Sequence, residues 1–294
     1  MTHPENIFVT DAARNFFADS ALEAKTHGTS DLFLLIEKEK VQLSLKERRT
    51  GKMLAFEKVL AQGNKISGWK DLLENTSSQS RILRNYEFSK VTACITSKEY
   101  TLVPEALFKN GDEIIYFRKN FSFTPQTIIR SQHVSTLDLH VIFGIDNDLE
   151  KEINHLFQDA QIFHHSQAIL SDLGMHGIKE NGKQIKVNIQ SDMIDILVSE
   201  NKKIILLNSF NWKTQEDILY YTLFVCEQLE INPAHLNLVV TGDIQPDSAL
   251  MSLLKSYLYD VTIAEKPSSL SSGISDLDFP YNQFALLHNL SLCE

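Results

Sequence analysis

The chain has 294 residues, 43% of them hydrophobic, enough to bury the core of one large or two ordinary domains. Thirty-eight acidic residues against 28 basic ones leave a formal charge of −10, which argues against nucleic acid as a partner, because a phosphate backbone is held by clustered cations. Cys94, Cys226 and Cys293 stand at no metal-ligand spacing. They suit a reducing compartment and argue against a disulfide framework or a zinc knuckle.

Residues Met1 to Ile7 lack a basic stretch followed by an apolar one, so no secretory leader is expected. Nor does any run approach the roughly 18 apolar residues of a membrane helix, since Glu227 and Gln228 interrupt Ile218 to Leu229. A soluble, cytoplasmic protein without a membrane partner is expected. Residues 1–30 have no period and read as an N-terminal arm. From Leu32 the pattern changes: Leu32, Leu34 and Ile36 alternate, the charged turn Glu37 to Lys40 follows, and Val41, Leu43 and Leu45 alternate on a returning strand. A third strand, Met53 to Val59, follows Thr50-Gly51. A helix is predicted near Ser67 to Glu74, then strands at Lys90 to Thr96 and Leu139 to Gly144. Leu149, Ile153, Leu156 and Ala160 stripe an amphipathic helix.

Adding 153 to the first set of numbers gives Ile185, Val187 and Ile189, the turn Gln190 to Met193, then Ile194, Ile196 and Val198. Every inward position stays apolar, which predicts a second meander and an internal duplication. Two unrelated meanders would give the same alternation, because the motif is common. A third strand is expected at Ile204 to Leu207. Thr214 to Asp217 resembles a capping box that opens a helix running to about Leu229, stopped by Asn232-Pro233. Leu236 to Thr241 reads as a buried strand, and Gly242-Asp243 turns the chain towards a helix starting near Asp247-Ser248. Ser268 to Ser275 is predicted as a loop, and Phe284 to Leu292 as a packed terminal element. The expected organisation is α/β: an arm over 1–30, a first lobe over 31–146 and a second over 147–294.

Two meanders, each followed by helices and strands, resemble the duplicated architecture of the actin, sugar kinase and Hsp70 superfamily, with its ribonuclease H-like core. More closely, Thr101 to Phe108 (TLVPEALF), Asn208 to Tyr221 (NSFNWKTQEDILYY), Thr241 to Ile244 (TGDI) and the ending Leu292-Cys-Glu294 are similar to a bacterial family of unknown function with an actin-like ATPase fold. That resemblance spans nearly the whole chain. It implies mixed central sheets flanked by helices, but assigns no chemistry.

Active members of the superfamily carry approximately Asp-x-Gly-x-Gly on each first hairpin, where the acid organises Mg²⁺ or water and the glycines bring backbone N–H groups to phosphate. Mapped here, the first acid falls on Ile36 or Glu37 and the glycines on Lys38 and Lys40. In the second copy they fall on Ile189, Ser191 and Met193, with Asp192 in the turn. Both tips lack glycine. The cofactor-binding candidates are therefore Lys38 and Lys40, which could meet an anion directly, together with Ser191, Asp192 and the strand-to-helix turn Thr241, Gly242 and Asp243, where glycine could admit a purine. A solvated hairpin and an ordinary turn account for the same residues.

His155, His164, His165 and His176 invite a metal reading, but nine residues separate His155 from His164, which places them on opposite sides of a continuous helix. No metal site is expected. Nor is a catalytic residue, since Gly-x-Ser-x-Gly is absent and no cysteine sits in a nucleophile motif. Lys46 to Arg49 is interrupted by Glu47 and has no interleaved aromatics, which makes a weak nucleic-acid site. The leading expectation is a non-catalytic actin-like protein that binds a protein or small-molecule partner, with no cofactor. The alternatives are an ATP-dependent phosphotransferase or ATPase holding Mg²⁺ with Glu37, Asp192 and Asp243, and a nuclease, which needs several converging acids.

Overall fold

The structure is a computed structural model that describes residues 15–19, 22, 28–61, 67–175, 183–201, 203–267, 270 and 279–293. Two compact units are present: one holds residues 15–175, 268–279 and 286–294, the other 1–14, 176–267 and 280–285. The division falls between Met175 and His176 rather than at 146/147. The reason is a strand that the sequence pattern did not reveal, which completes the first sheet beyond residue 147.

In the larger unit, β1 (Phe16–Ala18), β2 (Ser30–Ile36), β3 (Lys40–Glu47) and β4 (Met53–Leu60) are followed by α1 (Trp69–Gln79), α2 (Arg81–Asn85) and β5 (Lys90–Ile95). Part of the expected arm is thus a strand, with Phe17 paired to Phe56. Next come β6 (Tyr100–Pro104), α3 (Glu113–Arg118), β7 (Thr127–Val134), β8 (Leu139–Asp146), α4 (Asn147–Leu156), β9 (Gln161–His164) and α5 (His165–Met175). The six-stranded sheet has the order β1-β4-β3-β2-β5-β9, and β6-β8-β7 form a separate antiparallel sheet. Helix α4 stops before the expected Ala160, because Asp159 adopts a left-handed φ of 60° and turns the chain into β9. Gln132 of β7 fastens that edge strand, accepting from His164 N–H and donating to Ile162 C=O at 2.6 Å.

A buried carboxylate organises the start of α2. Glu57 accepts from Ser80 Oγ at 2.6 Å, Arg81 N–H at 2.8 Å and Ile82 N–H at 3.1 Å, so a strand residue satisfies donors that a helix start leaves orphaned.

The smaller unit holds β10 (Lys183–Ile189), β11 (Met193–Glu200), β12 (Lys203–Asn211), α6 (Gln215–Gln228), β13 (Asn237–Gly242), α7 (Ala249–Tyr257) and β14 (Asp260–Ile263). Helix α8 (Tyr281–Leu290) is the expected terminal element. The capping box forms: Thr214 Oγ1 accepts from Asp217 N–H, and the Asp217 carboxylate accepts from Thr214 N–H. Hydrogen bonds from the backbone N–H groups of Lys213 and Thr214 hold the Asp217 carboxyl below its ordinary range. Ser248 caps α7. The predicted loop at Ser268 to Ser275 lies outside the described residues except for Leu270.

The second sheet has the order β12-β11-β10-β13-β14. Without β1, the first sheet runs in the same order and directions: an antiparallel meander whose first strand pairs in parallel with the fourth. Agreement extends to single residues. Leu32, Leu34 and Ile36 face Leu45, Leu43 and Val41, and the positions 153 residues on, Ile185, Val187 and Ile189, face Val198, Ile196 and Ile194. Both middle strands shift register at matching points, after Leu45 and after Val198. These alternating residues are buried in both units.

Candidate functional site

The hairpin tips close in the same way in each unit: Glu37 N–H donates to Lys40 C=O at 3.0 Å, and Gln190 N–H to Met193 C=O at 2.9 Å. No residue of either two-residue tip has positive φ, so neither turn requires glycine. In the first tip the charges are not simply solvated. Lys40 Nζ lies 3.0 Å from Glu37 Oε1, with both side chains about one-twentieth exposed. Lys38 is exposed at the apex. Lys40, proposed as an anion contact, is thereby committed to the acid that would have organised Mg²⁺.

In the second tip, the structure brings Ser191 and Asp192 beside Thr241, Gly242 and Asp243, because β10 and β13 end side by side. Ile189 is the register partner of Gly242, and Asp243 N–H donates to Ile189 C=O at 2.9 Å. Gly242 has φ of 87°, and a Cβ there would stand 1.9 Å from Ile189 O. Close approach of two strand ends therefore requires the glycine, without any purine. Asn282 Nδ2 braces the turn by donating to Gly242 C=O at 3.0 Å and Ile244 C=O at 2.8 Å.

Behind this tip lies a polar network that sequence reasoning missed. The Asp195 carboxylate accepts from Asn188 Nδ2 at 3.0 Å, Gln190 Nε2 at 2.7 Å and Ser209 Oγ. Thr241 Oγ1 donates to Asn188 Oδ1 at 3.0 Å, and Trp212 Nε1 to Gln190 C=O at 3.1 Å. Asp195 is 1% exposed. The other amide atom of Gln190, Oε1, is buried with no hydrogen-bond partner among the described residues. The one available signal was a polar residue at alternate positions of an otherwise apolar strand, since Asp195 sits between Ile194 and Ile196.

The four histidines do not form one metal site. His155 is exposed on α4, and His176 lies outside the described residues. His164 is buried, its Nδ1 2.8 Å from Ser166 Oγ and its Nε2 3.0 Å from Ser97 O. Burial and then the neighbouring His165 push its pKa well below the ordinary value. The imidazole is therefore neutral in the fold, and the unfolded chain protonates first as the pH falls through about 6.5. Its contribution to stability is full above that pH and is lost as the pH falls towards the folded pKa. Urea unfolding between pH 7 and pH 5 should show His164→Gln losing less stability than the parent chain, by up to about 1.4 kcal/mol per pH unit. Equal slopes would refute this.

Among the described residues, a single group of three possible metal donors lies within one ion's reach, and it is elsewhere: Glu105, His133 and His140, on the three-stranded sheet. The converging acids that a nuclease needs are not found among the described residues. No helix among them is long and apolar enough to cross a membrane.

Comparison with solved structures gives the fold its name. A Bacteroides thetaiotaomicron protein with an actin-like ATPase fold and unknown function superposes with a TM-score of 0.74 at 23% identity, covering 90% of this chain and 96% of that one. The PilM-PilN type IV pilus biogenesis complex gives 0.53 at 11% identity, over 89% and 97%. No curated protein matches the chain. The fold is thus an actin-like ATPase fold, and since the family model described as "Protein of unknown function (DUF3822)" matches residues 19–261, the chain belongs to that family.

Proposed function

We propose that this chain is a non-catalytic binding or scaffold protein, in which two copies of an actin-like unit keep their strands but carry degenerate phosphate loops. The observation that carries the reading is the first tip, where the buried Lys40–Glu37 pair occupies the position at which an active member would hold a metal-organising acid among glycines. Gly242, the strongest remaining argument for a nucleotide, has its own cause in the approach of Ile189. A related fold works within an assembly in the PilM-PilN complex, which fits a partner-holding role. The register agreement at a spacing of 153 residues favours duplication. Three free cysteines suit the cytoplasm, here of a bacterium.

Calorimetry of the full chain with millimolar ATP or ADP, with and without Mg²⁺, is expected to give no saturable heat. Saturable, Mg²⁺-dependent heat would overturn the reading in favour of an ATP-binding phosphotransferase or ATPase with atypical loops.

A further inference from the structure

The three-stranded sheet carries a constellation that none of the preceding readings uses. His133 on β7 and His140 on β8 are register partners, directly opposite each other across an antiparallel pair. Their rings stack with centroids 4.8 Å apart. The short 3₁₀ turn Glu105–Leu107 follows β6 on the other side of β8, and Glu105 N–H donates to Asp138 C=O at 2.8 Å, which fixes the carboxylate's backbone. Glu105 Oε2 then lies 2.6 Å from His140 Nε2 and 3.3 Å from His133 Nε2. Phe108 covers the far face of this arrangement, stacked on His140 with centroids 3.6 Å apart and planes 11° from parallel.

The geometry points to a binding site for a divalent transition-metal ion, with zinc as its natural occupant, held by Glu105, His133 and His140 with a fourth position open to solvent. Two imidazoles and one carboxylate are a borderline-soft nitrogen and oxygen set of the kind that zinc takes in three-ligand, open sites. Ligands about 2.0–2.1 Å from a tetrahedral ion stand ~3.3 Å from one another. The His133–Glu105 separation already has that value, and all three ligand atoms lie within 4.8 Å of one another. The His140–Glu105 pair must open by a fraction of an ångström. Glu105 is half-exposed and can rotate to do so, while Phe108 and the strand pairing hold the histidines in place. Both imidazole Nε2 atoms thus converge on one carboxylate oxygen, Glu105 Oε2.

The test is calorimetry of the chelator-treated full chain with ZnCl₂. One saturable event near one ion per chain is expected. The thermal midpoint should rise on adding ZnCl₂. His133→Ala and Glu105→Gln, both at exposed positions, should each weaken binding by about two orders of magnitude, and His155→Ala should bind as the parent does. Absence of saturable heat overturns the site, and so does binding that survives both of the first two substitutions or is lost in His155→Ala. Because these residues lie outside both hairpin tips, the result is independent of the ATP titration.

Discussion

Gly242→Ala is expected to destabilise the smaller unit by about 2–5 kcal/mol, the largest effect expected of a methyl added to any glycine among the described residues. Two costs combine. The left-handed φ of 87° disfavours any Cβ by about 1–2 kcal/mol. The added Cβ would also stand 1.9 Å from Ile189 O and 2.7 Å from Ile189 N, so backbone rather than a flexible side chain must move, a further cost of about 1–3 kcal/mol. Moving it disturbs the Asp243 N–H to Ile189 C=O bond and the two carbonyls held by Asn282. Gly111 separates the two costs. Its φ is 92°, but nothing lies within 4 Å of its Cβ position, so Gly111→Ala should lose only the conformational part. Denaturant unfolding of both variants, with hydrogen exchange of β10 and β13 amides to localise the loss, would measure the difference. Equal effects at the two positions would show that Ile189 is not the obstacle.

Asp195→Ala should cost about 3–5 kcal/mol, because it leaves buried donors on Asn188, Gln190 and Ser209 without their shared acceptor. Asp195→Asn keeps the shape but turns an amide NH₂ towards one of these donors, and should fall between the parent and the alanine variant. A double-mutant cycle with Ser209→Ala isolates the coupling, since partners in one network lose less together than the sum of their separate losses. If Asp195→Ala unfolds at the same urea concentration as the parent, or the cycle is additive, the network does not hold the second tip. The consequence reaches the candidate site, because Gln190 is the residue from which that tip departs and its C=O is held by Trp212.

The two outcomes concern residues of different legibility. Gly242 was visible as a strand-to-helix turn because glycine followed by aspartate after an apolar run punctuates a chain. Its cause was not visible, since Ile189 is remote in sequence and becomes its neighbour only through the parallel pairing of β10 with β13. Asp195 is an unremarkable acid in a strand until that strand is buried on both faces. The same holds for Glu105, His133 and His140. Helical spacing directed attention to His155, His164, His165 and His176, whereas antiparallel register, which only the β7–β8 pairing supplies, set His133 opposite His140.

What the sequence determined by itself was the pair of meanders, with their alternation and turn positions, together with the caps at Thr214 and Ser248. These follow from local rules of period two, capping hydroxyls and turn residues, which act between near neighbours. It also determined that both tips lack glycine, because that is a matter of composition at a known turn. Tertiary structure alone decided that β9 completes the first sheet and moves the division to Met175/His176. It also decided that Lys40 neutralises Glu37 in a buried pair instead of reaching outwards. The first depends on parallel pairing between segments far apart in the chain and the second on the burial of a pair three residues apart, and neither leaves a mark on local periodicity.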